Sequence, residues 1–142
     1  EHNSEYVWYA VRNGGGYLNQ RKVQTSRNKN LDKRTHLLID TYGAWDVKKF
    51  SKIYEEGWVK DFGSAALALA GISSGMFDGW LNTMHKAHEL AAGYLLIKET
   101  NGFISDMSGS QLDKKKYDFN KTYEIVAAST QELGEILLDK LN

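Results

Sequence analysis

The first residues of the chain alternate between apolar and polar positions, as a half-buried β-strand does. Residues 5–12, EYVWYAVR, are rich in aromatic and β-branched side chains and run into the glycine-rich segment Asn13–Gly16. The sequence YLNQRKV follows at residues 17–23, so the pattern predicts a β-hairpin with a glycine-rich loop. Residues 24–34 carry few apolar side chains and are predicted to form a loop or linker.

From residue 35 onward, short apolar runs of strand length alternate with longer stretches of helical period. The predicted strands are THLLIDTYG, WVKDFG, MFDGWLN, GFISDMSG and YEIVAAS. The predicted helices are AWDVKKFSKIYEEG, SAALALAGISSG, KAHELAAGYLLIKETNG and a last helix that begins at Ser129.

Local signals mark the ends of these elements. Gly57 stops the first helix, Ser64 is a suitable N-cap for the second, and Glu132 follows Ser129 at the spacing of a capping box. Strands separated by helices of about 12 residues indicate a sheet with helices on both faces. The pattern therefore predicts an α/β fold, a layered sandwich with a mixed sheet between helices, preceded by the hairpin.

Composition excludes several classes of function. The chain has 142 residues, enough for one domain with a sizeable core, and its 18 basic and 18 acidic side chains cancel. A balanced charge argues against a general binder of nucleic acid or membrane surfaces. No apolar run approaches the ~20 residues that span a bilayer. The absence of cysteine excludes disulfides and thiol chemistry and favours a cytoplasmic location.

Two histidines and a glutamate stand at the start of the helix KAHELAAGYLLIKETNG. His85, His88 and Glu89 have the spacing i, i+3 and i+4, so all three could share one helical face. Helical zinc motifs instead place two histidines four residues apart with a glutamate between them. The spacing therefore disfavours a zinc site, and we expect both histidines to be surface residues at a helix start.

Glu89 itself has two interpretations. A carboxylate in the first turn of a helix is stabilised by the helix dipole alone. The small residues that follow, Ala91, Ala92 and Gly93, leave room for a ligand or for another backbone. A lone acid above a groove of small side chains suits a hard cation that shares oxygen ligands with a phosphate. This neighbourhood favours the cation.

The segment DFGSAALALAG, residues 61–71, is a second candidate. Gly63 and Ser64 precede a helix whose first turn holds Ala65 and Ala66, so its free N–H groups could bind an anion or a hydroxyl. Tight packing of the helix through its small residues explains the same pattern. The residues alone leave both interpretations open.

Four motifs follow one another along the chain: GSAAL (63–67), FDGW (77–80), HELAAG (88–93) and ETNG (99–102). Together they resemble the C-terminal half of the inositol monophosphatase family, the magnesium-dependent, lithium-sensitive phosphatases of sugar and inositol phosphates. That family typically shows G-[ST]-A-A-L, F-D-G-[YW], W-D-x-A-A-G and E-A-G-G. The hairpin also resembles the stretch that precedes the family's C-terminal domain.

The resemblance implies a function and a set of site residues. Glu89 stands where the family has an aspartate that binds an active-site magnesium ion. Gly63, Ser64 and Ala65 stand where the backbone contacts substrate hydroxyls, and Asn82 where several members place an acid that contacts the sugar. The implied activity is hydrolysis of a phosphate monoester of inositol or a related sugar or polyol, with Mg²⁺ as cofactor and water as nucleophile.

Three positions depart from the family pattern. Glu89 keeps the charge of the aspartate but adds a methylene, and Mg²⁺ tolerates little deviation from octahedral geometry. His88 replaces a tryptophan, and Asn82 removes a negative charge from the sugar pocket. These changes leave other substrates open, a nucleotide 3′-phosphate or fructose bisphosphate. They also leave open a non-catalytic homologue that binds polyol phosphates.

The family's other metal-binding carboxylates belong to its N-terminal half, with the motif D-P-[IL]-D-G-T, which this sequence lacks. One glutamate cannot hold a two-metal site. Because these carboxylates are missing, and because the sequence begins without methionine, we expect this chain to be a C-terminal fragment. Without the other metal ligands, such a fragment should be inactive alone. Residues 1–30 would be a hairpin and linker of the missing N-terminal domain, and residues 31–142 the C-terminal α/β domain.

The resemblance also implies partners. We expect a homodimer that binds a small phosphorylated polyol and neither a nucleic-acid polymer nor a membrane. Cutting the family fold at this point would leave the hairpin with an exposed strand edge, and such edges pair with other chains. We therefore predict that the fragment self-associates.

Overall fold

Strands and helices alternate along the chain in the order that its apolar pattern predicts. The computed structural model describes residues 5–41, 44–114 and 116–141. Within them the strands are β1 (Trp8–Val11), β2 (Gly15–Leu18), β3 (Arg21–Val23), β4 (His36–Asp40), β5 (Trp58–Lys60), β6 (Gly79–Lys86), β7 (Phe103–Asp106) and β8 (Thr122–Ala128). The helices are α1 (Ala44–Lys49), α2 (Ser51–Glu56), α3 (Ala65–Ser73), α4 (Ala87–Glu99) and α5 (Gln131–Leu141), with a 3₁₀ turn at Leu112–Lys114. None of the helices described is long and apolar enough to cross a membrane.

The strands form two sheets. The first is antiparallel, in the order β1-β2-β3, and contains the predicted hairpin. The second has the order β5-β4-β6-β8-β7. In it, β4 runs parallel to β5 and β6, whereas β8 runs antiparallel to β6 and β7. The predicted mixed sheet is confirmed.

Helices cover the five-stranded sheet on both faces, because successive strand residues point to opposite sides. In β4, Leu38 packs with residues of α3 and α4, whereas Leu37 and Ile39 pack with residues of α2 and α5. In β8, Ile125 packs on the α3 and α4 side of the sheet, and Val126 packs on the α2 and α5 side. All five side chains are fully buried. A strand buried on both faces is apolar throughout, which explains the run LLI in β4.

The helix predicted from residue 44 to Gly57 is divided at Phe50. The side chain of Phe50 is fully buried in the core, and its backbone (φ −97°, ψ 6°) leaves the helical range. Its carbonyl accepts the N–H groups of Ile53 and Tyr54, at 2.9 and 3.1 Å, as α2 begins. Burial of one aromatic ring therefore outweighs the continuity of a short helix.

The capping box predicted at Ser129 and Glu132 is wrong. The last helix begins at Gln131, and the hydroxyl of Thr130 accepts the N–H of Leu133 at 3.2 Å, so Thr130 is the N-cap. Ser129 is fully buried, and its hydroxyl donates to a carbonyl in the loop before β4. The Ser129 hydroxyl, which the sequence pattern assigned to the helix, therefore makes a tertiary hydrogen bond instead.

The small sheet packs against the end of α4. The carboxylate of Glu99 accepts the N–H groups of Asn13 at 2.8 Å and Gly15 at 3.0 Å. These two N–H groups hold the pKa of Glu99 below its ordinary value. At Gly16 a Cβ would lie 2.5 Å from Cγ2 of Thr100, so only glycine permits this approach. The glycine-rich segment thus packs the hairpin against the end of α4. The domain boundary at residue 30 stays a prediction.

Candidate functional site

Two of the five predicted site residues, Ser64 and Glu89, line one cleft. The cleft has a volume of about 420 Å³ and lies between α3 and α4, with Trp8 of the small sheet also in its wall. Ser64 is the N-cap of α3, and Glu89 lies in the first turn of α4, so both helix N-termini border the same space. Helix N-termini carry partial positive charge; that of α3 favours an anionic ligand, whereas that of α4 already has the carboxylate of Glu89 bound to it.

Gly93 sets the distance between the two helices. A Cβ at residue 93 would lie 2.6 Å from Cβ of Leu69 and 3.0 Å from its Cγ, well inside the 3.5–4.0 Å of a good carbon–carbon contact. The space left by this glycine is therefore filled by Leu69 and serves helix packing. Ala92, its neighbour, lines the cleft.

The turn into α3 is stabilised by its own side chains. Gly63 has φ +61°, a conformation that favours glycine, and its N–H donates to Oδ1 of Asp61 at 2.9 Å. The hydroxyl of Ser64 accepts the N–H of Leu67 at 3.3 Å, which confirms the predicted N-cap. Ala65 is buried in the core. The predicted contact of these residues with substrate hydroxyls stays a prediction.

The carboxylate of Glu89 is held at both oxygens. Oε2 accepts the backbone N–H of Lys86 at 2.8 Å, and Oε1 lies 3.2 Å from Nδ1 of His85. The Lys86 N–H, and to a smaller extent His85, hold the pKa of Glu89 below its ordinary value, so the group is ionised at neutral pH. Its side chain is 40% exposed. A carboxylate has about four acceptor positions, so these two contacts leave room for a further donor or a cation.

The prediction that both histidines lie at the surface is wrong for His85. Pairing with β8 continues to Lys86, so residue 85 belongs to the end of β6 and not to the helix. The register of this pairing shifts between Asn82 and His85, and the imidazole ends with only 5% of the residue exposed. His88, the second residue of α4, is exposed as predicted.

Asp40 is the residue of this neighbourhood that the sequence interpretation missed. It is 2% exposed, and its Oδ2 accepts the Trp80 Nε1–H at 3.1 Å and lies 3.2 Å from Nε2 of His85. A signal was present, because Asp40 ends a buried strand that runs parallel to its neighbours. The carboxyl ends of parallel strands are where functional side chains collect.

Asn82 lies directly beside Asp40, its partner in the pairing of β4 with β6. The residue is fully buried; its Nδ2 is 3.5 Å from Oδ2 of Asp40, and its Oδ1 accepts the N–H of Met84 at 2.7 Å. This geometry gives Asn82 a structural role beside the carboxyl end of β4. Its predicted contact with a substrate stays a prediction.

The fit of these residues to a metal ion is partial. Across residues 5–41, 44–114 and 116–141, no three His, Asp or Glu side chains form a group that could hold a metal. Glu89 offers an oxygen ligand of the kind that Mg²⁺ prefers, at the edge of a cleft. Asp40 is buried against Trp80 and His85. The described residues therefore fit one position of a magnesium site and not the whole of it.

Comparison with known proteins gives a consistent result. The sequence model of the inositol monophosphatase family matches residues 4–142. The chain is 38% identical over 111 residues to the inositol-1-monophosphatase of Mesorhizobium japonicum, which covers 74% of this chain and 42% of that protein. It is 27% identical over 137 residues to the fructose-1,6-bisphosphatase/inositol-1-monophosphatase of Methanothermobacter thermautotrophicus, covering 95% of this chain and 48% of that protein.

A solved structure agrees with the fold. The inositol monophosphatase of Anabaena (Nostoc) has a TM-score of 0.82 and 21% identity, and the match covers 96% of this chain and 54% of that one. The predicted α/β fold is thereby confirmed. The chain spans about half the length of each of these three proteins.

Proposed function

Because this chain belongs to the inositol monophosphatase family, we propose that it supplies the C-terminal part of the active site of a Mg²⁺-dependent phosphoric monoester hydrolase. The substrate would be a phosphate monoester of inositol or a related sugar or polyol. One observation carries the proposal: Ser64 and Glu89, predicted independently from two motifs, line the same cleft at two helix N-termini.

Each part of the cleft then has a chemical role. The partial positive charge at the N-terminus of α3 attracts the phosphate. The Gly63–Ala65 turn presents backbone groups to substrate hydroxyls. Glu89 would hold Mg²⁺, which when bound polarises a phosphoryl oxygen and lowers the pKa of a coordinated water. Ionisation of Glu89 at neutral pH, favoured by the Lys86 N–H, suits this role.

Since the described residues offer one metal ligand and the chain spans about half the length of the relatives compared, the remaining carboxylates would come from an N-terminal half. We accordingly propose that the 142-residue chain is inactive alone. We also propose that the intact protein is a cytoplasmic homodimer whose partner is a small phosphorylated polyol and neither nucleic acid nor membrane.

The test is phosphate release by the intact protein from inositol monophosphate, fructose 1,6-bisphosphate and a nucleotide 3′-phosphate, with and without Mg²⁺. We expect turnover only with Mg²⁺, fastest on inositol monophosphate, and its loss in Glu89→Ala. Lys98→Ala, in the last turn of the same helix, is the control that should leave the rate unchanged. A lack of Mg²⁺-dependent turnover on all three esters would refute the proposal.

A second candidate is a non-catalytic homologue that binds polyol phosphates. The capping contact of Glu89 favours it, because a carboxylate engaged with its own helix could serve stability alone. Calorimetry with inositol monophosphate distinguishes the two: binding that is equally tight without Mg²⁺, and without turnover, supports the non-catalytic protein.

A further inference from the structure

His85 lies between two carboxylates that come from different parts of the chain. Its Nε2 is 3.2 Å from Oδ2 of Asp40, and its Nδ1 is 3.2 Å from Oε1 of Glu89. The side chains of His85 and Asp40 are 7% and 3% exposed, whereas that of Glu89 is 40% exposed. The imidazole therefore connects a residue inside the core to one at the cleft.

The inner end of this connection is rigid. Asp40 ends β4, a strand that is paired with β5 on one side and with β6 on the other. The indole N–H of Trp80 donates to the same Oδ2 that His85 approaches, and the Trp80 and His85 rings lie 5.4 Å apart. Rotation of the imidazole would remove it from both the carboxylate and the indole, so the ring is fixed relative to the sheet.

The outer end needs such support. A glutamate side chain has three rotatable bonds, and a group that binds a cation well must be oriented beforehand. The Lys86 N–H holds Oε2 of Glu89, and His85 holds Oε1. One contact alone would leave the carboxylate free to turn about it, whereas the two together define its plane.

We propose that His85 is a positioning residue for Glu89, and that Asp40 orients it for this task. The proposal rests on the proposed function, in which Glu89 binds Mg²⁺. His85 acts through the Glu89 carboxylate and does not itself touch the metal or the substrate.

Two substitutions test the two ring nitrogens of His85 separately. The amide of glutamine approximates Nε2, so His85→Gln keeps the contact with Asp40 and loses that with Glu89. The amide of asparagine approximates Nδ1, so His85→Asn keeps the contact with Glu89. His88→Gln, at the exposed histidine in the first turn of α4, is the matched control.

The first measurement is Mg²⁺ affinity of the intact protein by calorimetry, beside kcat at saturating Mg²⁺. Loss of a residue that orients a metal ligand typically weakens binding about 10- to 100-fold, and we expect this for His85→Gln with a kcat close to that of the unsubstituted protein. His85→Asn should recover part of the affinity, because it keeps the contact with Glu89 but loses the orienting contact with Asp40, and His88→Gln should match the unsubstituted protein. Equal losses in both His85 variants would show a merely structural role and overturn the proposal.

A second measurement does not depend on the folding of a His85 variant. The ring ¹⁵N resonances of His85 are followed by NMR in the intact protein and in Glu89→Gln, a change at a partly exposed side chain. We expect the Nδ1 resonance of His85 to move while those of His36 stay. An unmoved Nδ1 resonance overturns the proposal.

The outcomes distinguish this inference from the proposed function. If Glu89→Ala weakens Mg²⁺ binding but His85→Gln does not, the positioning role fails and the role of Glu89 stands. If Glu89→Ala leaves Mg²⁺ affinity unchanged, the metal-binding role of Glu89 is refuted, even when the NMR result shows the contact with His85.

Discussion

Replacing Gly93 with alanine should push α3 and α4 apart and open the cleft between them. The added Cβ would lie 2.6 Å from Cβ of Leu69, which is about 1 Å closer than a normal carbon–carbon contact. Cβ of Leu69 is fixed to its own helix backbone and cannot move by a change of rotamer. The strain must therefore be relieved by movement of one helix relative to the other.

The expected loss of stability follows from two opposing effects. Overpacking a well-filled interface costs typically about 1–3 kcal/mol. Alanine is favoured over glycine within a helix by about 1 kcal/mol. Because Cβ of Leu69 cannot move by a change of rotamer, we expect the upper part of the overpacking range, about 2–3 kcal/mol, and so a net destabilisation of about 1–2 kcal/mol. With an unfolding entropy of about 2.1 cal/mol/K per residue, a chain of this length should lose roughly 3–7 °C in Tm.

Thermal unfolding followed by circular dichroism measures this change. Gly71→Ala, in α3, is the matched control. Its added Cβ would lie 2.7 Å from Cε2 of Phe77, but the Phe77 ring is only half-buried and can rotate away. Gly71→Ala should therefore lose less stability than Gly93→Ala by about 1 kcal/mol. An increase in Tm for Gly93→Ala would show that the helix interface has room for a methyl group and would refute the packing argument.

Three other properties can be predicted. Tyr9 and Val11 are exposed on β1, and β1 pairs with β2 alone among the described strands. Val11→Lys should therefore reduce self-association of the chain, measured by light scattering. Met76→Lys, a control at another exposed apolar residue, should leave self-association unchanged. The depressed pKa of Glu99 means that its contribution to stability is present above the ordinary value of 4.5 and is lost as pH falls through its lower folded value. Glu99→Gln should therefore remove part of the acid sensitivity of unfolding, and equal acid sensitivity in both proteins would contradict this. Burial, and then the neighbouring Tyr94, raise the pKa of Tyr117 to about 12. This phenol stabilises the fold below pH 10.0 and ceases to do so as pH rises through about 12, so Tyr117→Phe should remove the last step of the tyrosinate absorbance titration.

The predictions that succeeded depend on residues close together in sequence. The N-cap at Ser64 requires only a hydroxyl and the N–H three residues later. The two-sided burial of β4 follows from its unbroken apolar run, whose period of two divides Leu37 and Leu38 between opposite faces. Such local rules recover the order of the elements and the α/β class.

The errors occur where a distant segment decides the local structure. His85 could begin a helix as well as end a strand, and only pairing with β8, almost 40 residues later, selects the strand. Asp40 and His85 are 45 positions apart, so no spacing rule relates them. The hydroxyl of Ser129 does not cap the last helix as predicted, because it donates a hydrogen bond to the loop before β4. Each case is a tertiary contact that outweighs a local preference.

Glu89, one of the departures from the family pattern, and His85 belong together when they are seen in the structure. At the third position of a helix, a glutamate is long enough to reach back to the N-cap N–H, as Glu89 does to Lys86. An aspartate, one methylene shorter, is less suited to this contact and would direct its carboxylate differently. The reach that lets Glu89 cap its helix also brings Oε1 to within 3.2 Å of His85, which Asp40 holds from inside the core. The extra methylene is thus compensated by two contacts that constrain it. Glu89 and His85 therefore act as one structural unit, and substitution of either residue should alter the orientation of the same carboxylate.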